Sequence, residues 1–137
     1  MSGNDFAPLL KLHYTGTKAN IYFCRPSVNS NFNGSEYLET LSESGQNKFE
    51  AILERLAEVG HISNTEKFNS EGDGIWFIKI HGHRLACFKH VGDWIVITSG
   101  FKKDPKDKTR KQQVERAARI RAEFLASERN QGTQHKS

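Results

Sequence analysis

The chain has 137 residues, 36% of them apolar, with a mean hydropathy of −0.67 and a formal net charge of +4. That length suits one hydrophobic core, since halving it would leave two marginal domains, and the patterned apolar segments exclude a wholly disordered chain. No apolar run approaches the roughly 20 residues a membrane-spanning helix needs, and MSGNDFAPLL lacks the basic start and apolar stretch of a secretory signal, so a cytoplasmic location without a membrane partner is expected.

Residues 1–19 show no clear period and read as an N-terminal arm leading into the first strand. ANIYFCR, residues 19–25, is β-branched and aromatic, and Pro26, the Asn and Ser residues after it and Gly34 break the run; this predicts a strand followed by a loop. Asn33 and Glu36 have the spacing of a capping box ahead of a short helix over Ser35 to Leu41. Phe49, Ile52, Leu53, Leu56 and Ala57 then recur at helical spacing until Gly60, predicting a second helix. Residues 61–73, HISNTEKFNSEGD, read as a polar loop anchored by Phe68.

Three apolar runs follow: GIWFIKI, HRLACFKHV and DWIVITSGF. Their short links, His81-Gly82 and Gly92-Asp93, predict an antiparallel meander, with Gly82 supplying the positive φ of a two-residue hairpin. Both faces of these strands are apolar for most of their length, so the sheet needs helices on one side and at least partial cover on the other. Val114, Ala117, Ala118, Phe124 and Leu125 mark a closing amphipathic helix from about Thr109 to Ser127. Residues 128–137 read as a disordered polar tail. The expected architecture is α+β: about four antiparallel strands, two N-terminal helices on one face and a C-terminal helix, all in a single domain over residues 20–127.

Charge is concentrated in two places. Residues Lys102 to Arg121 hold nine basic and three acidic side chains, a net of +6, so the remainder of this +4 chain sums to −2; this predicts a local anion-binding surface or a solvated basic helix. The other concentration is the hairpin IKIHGHR, residues 78–84, whose register sets Lys79 opposite Arg84. Like charges so placed destabilise a sheet by a few tenths to about 1 kcal/mol, which makes sense if an anion lies over them. Cys24 and Cys87, 63 positions apart in apolar context, read as buried small hydrophobes of a reducing compartment. His81 and His83 could chelate a metal with His61 or His90, but no carboxylate or cysteine spacing supports a dedicated site, and no metal or cofactor is expected. Phe77, Phe88, Trp76 and Trp94 read as core aromatics rather than base-stacking platforms.

Taken in order, SEYLETLSESGQNKFEAILERLAEVG, WFIKIHGHRLACFKHVGDWIVITSGFKK and KDPKDKTRKQQVERAARIRAEF resemble the RelE superfamily of toxins, and within it the HigB-like, phage-derived branch. The likeness rests on two helices ending in "L…G", an arginine just after the strand turn, and an aliphatic strand running into "GFKK" before a helix. It implies a curved antiparallel sheet, a small endoribonuclease that cuts messenger RNA at the ribosome, and a silencing antitoxin partner of helix-turn-helix type. The family's basic strand position falls on Lys79, its arginine on Arg84, and its basic pair on Lys102 and Lys103. Lys106, Lys108 and Arg110 extend the RNA-binding surface. The tyrosine that some relatives carry near the C-terminus has no counterpart after Tyr37, and His83 stands where many members have an aromatic residue.

Cleavage by a neighbouring 2′-hydroxyl needs a base, an acid and a cation for the phosphorane charge. Arginine stays charged and offers forked donors to phosphate oxygens, which fits Arg84. Histidine titrates near neutral pH, so His83 or His81 suits proton transfer. Lys79 suits phosphate binding or, with its pKa lowered by nearby cations, the base. The alternatives are a non-catalytic RNA- or protein-binding module of the same fold and a DNA-binding regulator, the latter without helix-turn-helix spacing.

Overall fold

The computed structural model describes residues 8–136. Nine elements follow in order: β1 (Leu10–Thr15), β2 (Asn20–Cys24), α1 (Asn33–Glu39), α2 (Glu43–Val59), β3 (Phe68–Gly72), β4 (Ile75–Ile80), β5 (His83–His90), β6 (Trp94–Lys102) and α3 (Arg110–Lys136). The strands form one sheet in the order β1-β2-β6-β5-β4-β3. The α+β class, the two N-terminal helices and the β4–β5–β6 meander are as expected.

Two expectations about the sheet are corrected. It has six strands, not about four, and it is mixed, because β2 runs parallel to β6 while every other pair is antiparallel. The additional strands are the two edges. β1 has no fully buried residue, and β3 buries only Phe68; LKLHYT does alternate apolar with polar residues, a strand signal within residues 1–19, whereas FNSEG carries none. β1 lies within residues 1–19, of which 1–7 fall outside the described residues. At the other end α3 runs on to Lys136 through the segment read as a polar tail, of which Ser137 lies outside the described residues.

Three layers result. One face of the sheet carries Ile78, Ile80, Leu85, Cys87, Ile95 and Ile97, packed under Phe49, Leu53 and Leu56 of α2 and Leu38 of α1. The opposite face carries Ile75, Phe77, Ala86, Phe88, Val96 and Phe101, covered by Ala117, Ile120 and Phe124 of α3. Burial of both faces explains why the central strands are apolar almost throughout. Phe77 and Phe88 are buried in the second cluster, and Trp76 stacks on Phe68 with ring centroids 4.6 Å apart. Cys24 and Cys87 are free and buried in different clusters, and burial pushes both thiols up to about 12.

The helices are seated by specific polar contacts. Ser42 caps α2 by accepting from the Gly45 N–H at 3.1 Å, and Gly60 ends it in the left-handed conformation. The capping box at Asn33 is not formed: Phe32 is the N-cap and contributes no side-chain bond. The Asn33 carboxamide oxygen instead accepts from the Gly100 N–H at 3.0 Å, tying α1 to β6. On α2, Glu50, Glu54 and Glu58 stand four residues apart and accept in turn from His13, Tyr14 and Thr17, clasping the β1 end of the sheet.

A β-bulge in β6 controls what lies beyond it. Ala86 pairs with Ser99 and Cys87 with Ile97, leaving Thr98 as the additional residue, its hydroxyl donating to the Ala86 carbonyl at 3.2 Å. One inserted residue reverses the alternation of everything after it. Phe101 therefore joins the α3 face, and Gly100 turns to the α1 face, where a Cβ would come within 2.5–2.6 Å of the Tyr37 side chain. Gly100→Ala is expected to cost about 1–3 kcal/mol through overpacking, read as a lowered urea midpoint; an unchanged midpoint would contradict this packing.

Candidate functional site

The hairpin register is as the alternation requires. Ile80 pairs with His83 and Lys79 with Arg84, so Lys79 and Arg84 share the α3 face of the sheet with Phe77 and Ala86. The turn differs in one respect: the positive φ, +46°, belongs to His81 and not to Gly82. Three contacts hold it there. Arg84 Nη1 donates to the His81 carbonyl at 2.7 Å, the Lys103 N–H donates to the Gly82 carbonyl at 2.6 Å, and Lys48 Nζ lies 2.9 Å from His81 Nε2.

Lys79 and Arg84 open into a cleft of about 360 Å³ bounded by β3, by the segment after β6 and by the first turn of α3. Phe77 and Phe101 form its floor, with ring centroids 5.0 Å apart. Lys103 and Arg110 add two cations to the walls, and Glu71, Asp104 and Asp107 add three carboxylates. Glu71 is the residue that sequence reasoning missed. Its side chain is only 3% exposed, and it lies 2.5 Å from Arg110 Nε and 3.6 Å from Lys79 Nζ, with the Asn69 amide donating at 2.9 Å. A buried carboxylate needs such partners. This one joins β3, β4 and α3, and it answers the repulsion between Lys79 and Arg84 from within the chain.

Arg84 itself has no carboxylate ligand among the described residues. Nη1 is spent on the carbonyls of His81 and His83, at 2.7 and 3.0 Å, and Nη2 and Nε remain open. Burial lowers its pKa, and Glu71 and Asp107 pull it back; a guanidinium stays charged under such shifts.

The histidines lie elsewhere. His83 alternates with Arg84 and faces the α1 side, where its Nδ1 is 2.6 Å from the Tyr37 hydroxyl. Lys102 is paired with His83 across β5 and β6, on that same side as a consequence of the bulge. The structure thus gathers Lys79, Arg84, Lys103 and Arg110 on one face, and His83 with Lys102 and Tyr37 on the other, with His81 at the turn between them. Lys106 and Lys108 are exposed on the segment leading into α3. Tyr37 was legible only indirectly, through Gly100: a glycine inside an apolar strand marks a close approach by a neighbour.

Burial, and then the charges of Lys102, Arg84 and His81, hold the His83 imidazole below the usual histidine range, while burial raises the Tyr37 hydroxyl. Near neutral pH the pair is an uncharged ring bonded to a protonated tyrosine. Whichever ring nitrogen carries the proton, Nε2 is the atom left for other partners. Among the described residues no group of histidine, cysteine and acidic side chains could hold a metal ion, and no helix is long and apolar enough to cross a membrane.

The family model described as phage derived protein Gp49-like (DUF891) matches residues 36–122, from α1 into α3, and so takes in both halves of this site. The chain belongs to the Gp49-like family. Gp49-like proteins are members of the RelE/ParE-like toxin superfamily, which makes this a RelE-type member of the toxin–antitoxin class and implies a cognate antitoxin as its partner. No curated protein and no solved structure matches the chain. The match leaves β1 and β2, the strand that runs parallel to β6 and the edge clasped by α2, outside it.

Two outcomes are expected. His81→Gly removes the strain of a left-handed non-glycine residue and should raise stability by about 0.5–1 kcal/mol, measured by chemical denaturation; a loss of stability would mean the Lys48 contact outweighs the strain. Because the folded-state pKa of His83 is depressed, its contribution is present above the unfolded value of about 6.5 and is lost as pH falls toward the folded value. His83→Gln should therefore flatten the decline in stability between pH 7 and about 5 relative to the parent chain, and identical pH profiles would show that His83 is not the group responsible.

Proposed function

We propose that this Gp49-like protein is a HigB-like toxin that cleaves messenger RNA at the ribosome without a metal, at the cleft bounded by Lys79 and Arg84, and that a helix-turn-helix antitoxin restrains it. The single observation that carries this reading is the open half of Arg84. A guanidinium fixed by two backbone carbonyls, opposite an ammonium and without a carboxylate ligand, is pre-organised for a phosphate.

In the proposed reaction a 2′-hydroxyl gives up its proton as its oxygen attacks the adjacent phosphorus, the P–O5′ bond breaks, the leaving O5′ takes a proton from a histidine at the hairpin, His81 or the His83 that accepted the first, and the products carry a 2′,3′-cyclic phosphate and a 5′-hydroxyl. Arg84 stabilises the charge on the non-bridging oxygens. Lys79 and Lys103 hold flanking phosphates, and Lys106, Lys108 and Arg110 follow the strand beyond the cleft. Lys102 provides a phosphate contact on the other face of the sheet. His83, neutral at working pH, is the group best suited to take the 2′-proton as RNA rounds the end of the hairpin, in the tautomer whose Nδ1–H donates to the Tyr37 oxygen and leaves the Nε2 lone pair unused, and His81 in the turn is the other histidine within that path. The protein acts in the cytoplasm.

A second reading, an RNA- or protein-binding module without cleavage, is favoured by the separation of His83 from Arg84 onto opposite faces and by the three carboxylates in the cleft. Expression of the chain without its antitoxin, with transcript ends mapped on translated messages, distinguishes the two. Codon-phased new ends support the nuclease. Arg84→Ala should lower their formation by about 10²–10³-fold, the cost of losing one transition-state donor, and full toxicity in that variant would remove Arg84 from the mechanism.

A further inference from the structure

Tyr37 reaches His83 from a seat built by two other residues. The Thr98 bulge turns Gly100 toward α1, the Gly100 N–H donates to the Asn33 carboxamide at 3.0 Å, and the space that a Cβ at residue 100 would fill holds the Tyr37 ring. The tyrosine and the imidazole do not stack. Their centroids are 5.8 Å apart with the planes at 57°, so what joins them is the 2.6 Å bond between the Tyr37 hydroxyl and His83 Nδ1. Tyr37 is half-buried, which lets its hydroxyl proton point to water while its oxygen accepts. His81 is bound differently: the Lys48 ammonium, a donor only, lies 2.9 Å from its Nε2 and takes that nitrogen's lone pair.

We propose that Tyr37 is the positioning residue of His83: its oxygen accepts from Nδ1–H, holds the ring in one tautomer, and aims a bare Nε2 at the 2′-hydroxyl. The inference rests on the nuclease reading and assigns the base within it to His83 and not to His81, whose Nε2 lone pair Lys48 occupies. The 2′-proton passes to His83 Nε2 as the O2′–P bond forms, and O5′ takes up its proton as the P–O5′ bond breaks. Because Nδ1–H donates to Tyr37 in the neutral ring and in the imidazolium alike, nothing at the seat has to rearrange between the two states. The reverse bond, with Tyr37 donating to Nδ1, would put the neutral ring's proton on Nε2 and block it as a base. Among the described residues the titratable groups that face the ring are Tyr37 from α1, Lys102 from β6, and Arg84 and His81 from the hairpin. Burial first, and then the last three, disfavour the imidazolium, so the ring stands ready as a base near neutral pH.

The test uses the full chain and Tyr37→Phe, which keeps the ring over Gly100 and removes only the hydroxyl. Imidazole ¹⁵N spectra at about pH 8, where histidine is neutral, with His83 assigned by the signals lost in His83→Gln, should show the parent ring protonated on Nδ1 and bare at Nε2. In Tyr37→Phe the proton should move to Nε2 while the circular dichroism spectrum stays unchanged. On programmed ribosomes carrying a labelled message, that variant should lose about 10–100-fold in kcat, as the loss of a group that orients a working histidine does, with KM unaltered. A parent ring protonated on Nε2, a tautomer that Tyr37→Phe leaves as it was, an unchanged kcat, or a loss carried by KM would each overturn the role given to Tyr37. The spectra are taken without RNA, so they judge the seat separately from the chemistry. A parent chain that cuts no message overturns the nuclease reading and this role with it, whereas a chain that cuts equally well without the hydroxyl overturns the role alone.

Discussion

The two-residue turn at His81-Gly82 is the constraint on which the site depends, because it fixes the register of β4 against β5 and so obliges Lys79 and Arg84 to face one another. Two cations at that spacing repel, and a sheet does not accept the cost without an anion nearby. From the sequence the anion is external. In the folded chain part of it is internal, since Glu71 lies against Lys79 and Arg110 with almost no exposure to water. The carboxylate neutralises one side of the cleft, tethers the first turn of α3 to the edge strand, and leaves Arg84 as the cation whose donors are still unmet.

The second determinant is the bulge at Thr98. Without it, residues 99 and 101 would continue on the α2 face with Ile95 and Ile97, and the two lysines after the strand would exchange sides. With it, Phe101 floors the cleft, Lys103 reaches its wall, and Lys102 emerges beside His83. Gly100 is then left under Tyr37, which is why that position has no side chain. One inserted residue therefore sorts a pair of adjacent lysines into two chemical settings.

How far the sequence discloses this follows the physics of each element. The meander and α2 were legible because period-2 and period-3.6 patterns are strong when both sheet faces or one helix stripe are buried. Gly60 was legible as a helix end because only a left-handed residue closes α2 there. β3 was not, because an edge strand has one neighbour and needs little apolar surface, and FNSEG reads as a polar segment until a partner strand is known; LKLHYT in β1 does alternate apolar with polar residues, a signal that was present and passed over among the unpatterned residues around it. The parallel pairing of β2 with β6 is a long-range choice without any local signal. At the site, strand alternation sufficed for Lys79 and Arg84. It could not reveal Glu71, which acts from an unrecognised strand, or place Lys102, whose direction depends on a bulge formed by small buried side chains.

The cleft's cations divide into two kinds, and the division bears on how a phosphate would enter. Lys79 and Arg110 are already engaged by Glu71, whereas Arg84 and Lys103 have no carboxylate partner among the described residues. An incoming phosphate that paired first with Lys79 would compete with a buried carboxylate and leave it unpaired, a costly exchange. One that paired first with Arg84 meets donors whose orientation the hairpin carbonyls have already fixed, so little ordering remains to be done. If the cleft binds phosphate as proposed, Glu71 would bias the order of engagement: the guanidinium would receive the anion, and the lysine across the strand would adjust to it. A carboxylate that looks like an impediment in a nucleic-acid site becomes, in this arrangement, the reason the reactive phosphate would settle at one cation and not be shared among four.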